Sequence, residues 1–402
     1  LSEENRNQDV GYRIPLSSPD LTDAERGVIA EILHTPRLSM GPYEKQFEAA
    51  VKEYVGMSNA IAVSSGTTGL HLCVRAAGII DGDWVITTPF SFVSSANVML
   101  YERAVPIFVD VDAKTGNIDA SLVAQAVRDL SRGGDAAQRW LPRRGISAPG
   151  KLKAVLTVDV FGQPADYQAL LGTVNDYDLL LIEDSCEALG STFEGRKAGT
   201  FGDVAVFAFY PNKQITTGEG GMVVTDNDDW AAMIRAMRNQ GRAPGDTWLT
   251  HTYLGYNYRL DELSAALGAV QMTRLDELID KRERVACWYI EQLKPIQGVE
   301  IPYLVPSTTR MSWFVFVVRF DPAIDRDALI GALKELGIPA RPYFSPIHLQ
   351  AYFQERFGYR EGDFPVTEDL GRRGLALPFS SVMTEEQVGL VCSALCQALD
   401  RI

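Results

Sequence analysis

Between residues 60 and 225 short apolar runs alternate with stretches of helix length, and this alternation constrains the fold more than any other feature of the chain. Strands are expected at residues 60–63, 84–88, 105–111, 154–160, 179–183, 204–209 and 221–225. Several of these runs are apolar throughout and lack the polar alternation of a half-exposed strand, as expected for strands covered on both faces of a largely parallel sheet. Helices are expected between them at residues 68–77, 94–101, 119–130 and 167–175. The pattern predicts an open α/β sheet of seven, mainly parallel strands. In such sheets ligands gather beyond the carboxyl ends of the strands, where loops lead into helices.

A single long helical stretch is expected over residues 259–293, ending at Lys294-Pro295. The apolar alternation at 313–320 and the helical pattern at 326–336 then predict a smaller α+β domain. This divides the chain into a flexible leader (1–13), a large domain (14–275) and a small C-terminal domain (276–402). Residues 131–150, rich in Gly, Pro and Arg around Trp140, read either as a surface insertion or as a loop over the site or across a subunit interface.

Composition removes several classes. A formal net charge of -14 argues against a general basic surface for nucleic acid. No apolar run reaches the roughly 18 residues of a membrane span, and residues 1–9 lack a signal-peptide core. The five cysteines (Cys73, Cys186, Cys287, Cys392 and Cys396) are odd in number and form no C-x-x-C pair. They read as reduced thiols in a cytoplasmic protein. Cys392 and Cys396, four apart on the last expected helix, read as two core thiols. The four scattered histidines offer no metal cluster, so no metal is expected.

Four features fall at expected strand ends. Ser64-Ser65-Gly66-Thr67-Thr68 joins a strand to a helix and exposes backbone N–H groups at a positive helix end, which suits a phosphate; an ordinary turn with a Thr cap would look the same. Phe92 follows the second strand and could stack on a ring or pack in the core. Asp184 ends the run Leu-Leu-Leu-Ile-Glu-Asp, where a carboxylate needs a cationic partner unless it caps a helix. Lys213 follows Val-Ala-Val-Phe-Ala-Phe in a Pro-containing loop, ahead of Gly218-Glu219-Gly220-Gly221. A lone lysine is usually a solvated charge, whereas a partly buried one is a nucleophile. Pyridoxal phosphate requires such a set: a lysine for the Schiff base, an anion for the pyridine nitrogen, backbone donors for the phosphate and a ring face. Neither a P-loop nor a G-x-G-x-x-G fingerprint occurs, so a dinucleotide oxidoreductase has no positive support.

The motifs SSGTTGL (from Ser64), Val109-Asp110-Val111-Asp112, IEDSCEALG (from Ile182), FAFYPNKQITTGEGG (from Phe207) and GYNYRLDE (from Gly255) resemble those of the DegT/DnrJ/StrS sugar aminotransferases, from about Ile14 to Pro378. The resemblance implies the fold-type I architecture of pyridoxal phosphate enzymes and a homodimer with active sites at the interface. It implies Lys213 as the cofactor-bonding lysine, Asp184 as the partner of the pyridine nitrogen and Phe92 as the ring stacker. Gly66 and Thr67 resemble the phosphate-binding turn, and Asn257 the asparagine that reaches the phosphate from the other subunit. Two positions depart from the pattern. Ala208 replaces a phosphate-binding serine, and Glu187 replaces a glutamine near the cofactor's phenolic oxygen, where a carboxylate would be repelled unless one of the two is protonated. Related sugar 3-dehydrases carry histidine in place of the lysine; this chain keeps Lys213, which favours transamination.

The resulting expectation is amino transfer from an amino acid, with L-glutamate as donor, to a nucleotide-linked keto-sugar such as a 4-keto-6-deoxyhexose. Arg259, Trp313, Arg341, Tyr343 and His348 are the candidate substrate contacts, since arginine suits a pyrophosphate. A keto-cyclitol or another keto-sugar is an alternative acceptor. A non-catalytic cofactor-binding regulator is a second class, against which the intact Lys213 and Asp184 count.

Overall fold

Strands without polar alternation must be covered on both faces, and burial along the sheet follows that rule. In chain order the strands are β1 (Asn59–Val63), β2 (Trp84–Thr87), β3 (Val105–Phe108), β4 (Leu152–Val158), β5 (Leu180–Asp184), β6 (Thr192–Phe193), β7 (Arg196–Lys197), β8 (Val204–Ala208) and β9 (Gly221–Thr225) in this computed structural model, which describes residues 11–146 and 150–402. β2, β3 and β9 are buried at every position. The central sheet has the order β1-β9-β8-β5-β4-β2-β3. β9 is antiparallel to both its neighbours, and the other strands of this sheet run parallel to one another. One edge of the sheet therefore collects the carboxyl ends of the parallel strands together with the start of β9. The expected leader lies outside the described residues as far as residue 10.

β3 and β4 end earlier than expected, each where a carboxylate leaves the ladder. β3 stops at Phe108, and beyond it Asp110 accepts hydrogen bonds from the main-chain N–H of Val366 (3.0 Å) and Thr367 (2.9 Å) and from the Thr367 hydroxyl (2.7 Å). Asp110 thus satisfies the open first turn of the helix Pro365–Arg373. β4 gives way at Asp159 to a short turn, Val160–Gly162, in which Phe161 takes a left-handed backbone (φ 59°). The expected helix over 259–293 is two helices, Glu262–Thr273 and Leu275–Leu293, broken at Arg274. There the guanidinium turns to Asp20 and Glu25, both at 2.9 Å, so pairing outweighs continuation of the helix.

The C-terminal part is smaller and α+β. β10 (Val299–Glu300), β12 (Phe316–Phe320), β13 (Arg341–Pro342) and β14 (Gly374–Leu377) form an antiparallel sheet of order β10-β12-β14-β13. The helices Leu275–Leu293, Arg326–Glu335 and Glu385–Leu399 share its core, which includes Tyr289, Trp313, Phe316, Leu329 and Leu395. β11 (Thr308–Arg310) pairs with β6 and so ties this part to the first. The strand expected over 313–320 begins only at Phe316, because Trp313 turns the chain with a left-handed φ of 52°. In the last helix Cys392 is buried but Cys396 is exposed. The expected pair of core thiols is not formed, since four residues advance about 40° round a helix and carry Cys396 off the buried stripe.

Of residues 131–150, the described part holds a short helix, Gly134–Gln138. Trp140 Nε1 donates to Asp129 (3.0 Å) and Arg143 pairs with Asp363. Residues 138–143 line a cavity with Tyr359 and Asp363, and no described residue of the segment lines the cavity at the strand ends. Residues 147–149 lie outside the described residues. Among the described residues no helix is long and apolar enough to cross a membrane.

Candidate active site

At the collecting edge of the sheet lies a cavity of about 530 Å³. Its wall takes Ser65, Gly66 and Thr67 from beyond β1, Phe92 from beyond β2, Asp184 and Glu187 from β5 and its loop, and Lys213 from beyond β8. Gly220 precedes β9, while Phe314 and Tyr343 enter from the C-terminal part. Sheet topology thus places residues far apart in sequence round one volume, as open α/β sheets do.

Asp184 ends β5 and no helix starts there, so it is not a helix cap. It is 5 % exposed. The Ser95 hydroxyl donates to Oδ2 (2.6 Å) and is itself paired with Ser91 (2.9 Å). Its neighbour Glu183 is buried in the opposite direction, accepting main-chain N–H bonds from Gly199 (2.9 Å), Phe201 (2.6 Å) and Gly202 (2.5 Å). Behind them Asp159 accepts from Tyr167 (2.7 Å), Ser185 (2.7 Å) and the Ala165 N–H (3.0 Å). Burial pushes both Glu183 and Asp159 above the ordinary carboxylate range.

The Lys213 side chain is only 12 % exposed and is no solvated surface charge. Nζ lies 3.6 Å from Glu187 Oε1 and 3.7 Å from the centre of the Phe314 ring. Glu187 is anchored on its other oxygen by the Phe161 N–H (2.8 Å). Burial pushes its carboxyl up to about 7, opposed by the Lys213 charge and the Phe161 bond and helped by the Asp184 charge. The same burial lifts Tyr343 to about 12.

The helix Gly66–Ala76 begins at the cavity with Ser65, not a threonine, as its cap. Ser65 and Thr68 form a reciprocal capping box that occupies their own amides. The amides of Gly66 and Thr67 belong to the first turn, whose N–H groups have no partner inside a helix. A Cβ at Gly66 would stand 2.8 Å from Cys186 Sγ and 2.9 Å from Ala208 Cβ, so only glycine lets the turn lie this close to β8. Phe92 is 63 % exposed on the rim and is not a core residue.

The substrate candidates divide. Tyr343 lines the cavity. Trp313 and His348 do not, and the expectation for both is corrected: each is a core side chain. Trp313 is 1 % exposed with its indole N–H donated to Glu283; His348 is fully buried with Nε2 3.0 Å from Glu368. Arg259 donates to Asn239 (2.9 Å), and Asn257 and Arg341 are exposed; none of the three lies on the cavity wall of its own chain. Sequence reasoning missed Ser95 and Phe314. The Ser91-Ser95 spacing of four carried a weak signal for the first; nothing local marked the second.

The donor set fits pyridoxal phosphate: an amine and a carboxylate share one volume with a helix N-terminus and an exposed aromatic ring. A mainly parallel seven-stranded sheet with a smaller C-terminal α+β part carrying such a set is the architecture of a pyridoxal-phosphate-dependent aminotransferase. The chain belongs to the DegT/DnrJ/EryC1/StrS aminotransferase family, which it matches over residues 19–396. It is 36% identical over 390 residues to the GDP-perosamine synthase of Caulobacter vibrioides, covering 96% of this chain and 98% of that protein. Among solved structures, Helicobacter pylori PseC, an aminotransferase involved in the biosynthesis of pseudoaminic acid, superposes with a TM-score of 0.86 at 25% identity, covering 97% of this chain and 100% of that one. DesV of S. venezuelae gives 0.84 at 29% identity, with 97% and 100% covered.

Proposed function

We propose that the chain moves an amino group from L-glutamate to a nucleotide-linked keto-sugar, a 4-keto-6-deoxyhexose, in two successive half-reactions at a site shared between two copies of the chain. The observation that carries this reading is the approach of Lys213 and Asp184 to one cavity beside a helix N-terminus. The GDP-sugar in the name of the Caulobacter vibrioides relative supports the acceptor class. Bound here, pyridoxal phosphate supplies the carbonyl that carries the amino group and the ring that takes up the electrons of the donor's Cα–H bond.

The residues do the rest. Asp184, fixed by Ser95, holds a proton on the ring nitrogen by charge. The amides of Gly66 and Thr67 hold the phosphate at the positive helix end, and Phe92 covers the ring face. Lys213 Nζ would hold the cofactor at its carbonyl carbon and, as a free amine, would take the donor's Cα proton and return it as general acid. Asn257, Arg259 and Arg341 serve the neighbouring copy, the first at the phosphate and the arginines at the nucleotide. Exposed Trp248 (76 %), Leu249 (82 %) and Leu254 (74 %), a few residues before Asn257 and Arg259, support a covered face there.

The test is a panel of nucleotide keto-sugars against keto-inositols, with the product identified by mass spectrometry. Turnover is expected only with the nucleotide sugars, and turnover of keto-inositols alone would transfer the reading to cyclitols. Lys213→Ala should lose both the visible absorbance of the lysine-bound cofactor and the half-reaction with glutamate; a variant that still transaminates at the normal rate defeats the assignment.

A further inference from the structure

Arg282, on the helix Leu275–Leu293, is 2 % exposed and has no carboxylate partner among the described residues. Its guanidinium instead donates to four main-chain carbonyl oxygens on two separate segments. Nη1 reaches Trp313 (3.0 Å) and Phe314 (3.2 Å), and Nη2 reaches Asn212 (3.1 Å) and Lys213. Burial pushes it down to about 10, which leaves it cationic at neutral pH. Nε has no hydrogen-bond partner.

This arrangement is unfavourable as a mere crosslink. A buried cation without a counter-ion loses its hydration, and neutral donors could join two loops at lower cost. The same node binds the carbonyl of Trp313, whose backbone is left-handed (φ 52°), a conformation unfavourable for a non-glycine residue. The loops are moreover already joined one residue away, where Gln214 Nε2 donates to Ser312 Oγ (2.9 Å) and to the Glu187 carbonyl. What Arg282 adds is specific to position: it clamps the carbonyl of the lysine and the carbonyl of the residue whose ring lies under the lysine's amine.

We propose that Arg282 is a positioning residue for the proton transfer: its planar fork sets the Lys213 main chain against Phe314, so that Nζ is held between the Phe314 face and Glu187. The inference rests on the reading that Lys213 Nζ moves the Cα proton. Lysine at this position keeps the charge but lacks the rigid fork that spans both segments. A misplacement of an ångström or less then reaches the reacting amine directly.

The test uses the full-length holoenzyme and Arg282→Lys. With α-deuterated glutamate, the single-turnover half-reaction should slow by more than about tenfold and its primary isotope effect should rise, because proton transfer becomes the slower step. Hydrogen exchange of peptides covering 209–217 and 312–316 should speed up, with the rest of the chain unchanged. Normal turnover per folded site with an unchanged isotope effect overturns the proposal, as does faster exchange spread evenly over the chain. If R282K does not fold, Phe314→Leu tests the other arm: the four carbonyl bonds remain, the ring is lost, and an unchanged isotope effect overturns the proposal there too. A half-reaction that survives Lys213→Ala refutes the Lys213 reading itself, whereas a dead K213A beside an unaffected R282K refutes only the role of Arg282.

Discussion

Replacing Glu187 with glutamine should change how stability depends on pH, and the direction follows from the geometry. The unfolded chain ionises this carboxyl near the ordinary value of 4.5, while the folded chain keeps its proton up to about 7 because burial opposes the charge. Between these limits the folded state binds more protons than the unfolded one. Stability therefore falls as pH rises through the window and stays low above it. The span corresponds to roughly 3 kcal/mol at about 1.4 kcal/mol per pH unit. Glutamine matches the protonated acid in shape and can keep the Phe161 contact, but it does not titrate. Urea unfolding of wild type and E187Q, both freed of cofactor so that Lys213 is a free amine, should give similar stabilities at pH 4.5. The variant should then gain an advantage that approaches that magnitude by pH 8. A difference between the two proteins that is flat across this range would refute the argument, since it would mean that Glu187 ionises in the folded chain as it does in the unfolded one.

Two further substitutions probe other parts of the wall. Asp184→Asn keeps the shape and the Ser95 contact but removes the charge, so the glutamate half-reaction should fall by roughly 10²–10³-fold, read by stopped-flow absorbance; an unchanged rate would exclude an electrostatic role. Gly66→Ala forces a Cβ against Cys186 Sγ at 2.8 Å and Ala208 Cβ at 2.9 Å and should cost about 1–3 kcal/mol in urea unfolding together with weaker cofactor binding. An alanine variant as stable as wild type would show that the turn can draw back from β8.

Much of the fold was legible because burial leaves a mark on sequence. Runs such as Val204–Ala208 have no polar face, and that alone predicts cover on both sides. Direction leaves no such mark: nothing in Gly221–Thr225 says that β9 runs against its neighbours. The break at Arg274 was equally silent, since no Pro or Gly stands there and the cause is a pair of carboxylates some 250 positions away in sequence. Within the site, Asp184 and Lys213 were legible as polar residues ending apolar runs, a placement that demands partners. Trp313 and His348 were misread because a polar ring atom can be satisfied by protein as well as by ligand, and only the fold supplies Glu283 and Glu368. Arg282 sits within an ordinary amphipathic helix, and the carbonyls that receive it come from segments on either side of it in sequence.

The reversed course of β9 has one more consequence. The chain that carries Lys213 leaves the sheet at Ala208 and re-enters it at Gly221, and these two residues face each other across the same ladder. The segment between them is a loop closed at its base and braced inside, with Thr217 N–H and the Thr216 hydroxyl both bonded to the Phe209 carbonyl. The register of the sheet therefore fixes where the two ends of the loop lie, and the internal bonds fix its path between them. A single inserted or deleted residue here cannot be taken up at the ends and must move the amine relative to Asp184. Among the described residues of 131–150 no pair of ladder partners closes the segment in this way. The architecture acts as a filter on insertions and deletions: it leaves length free to drift far from the amine and holds it constant around the lysine.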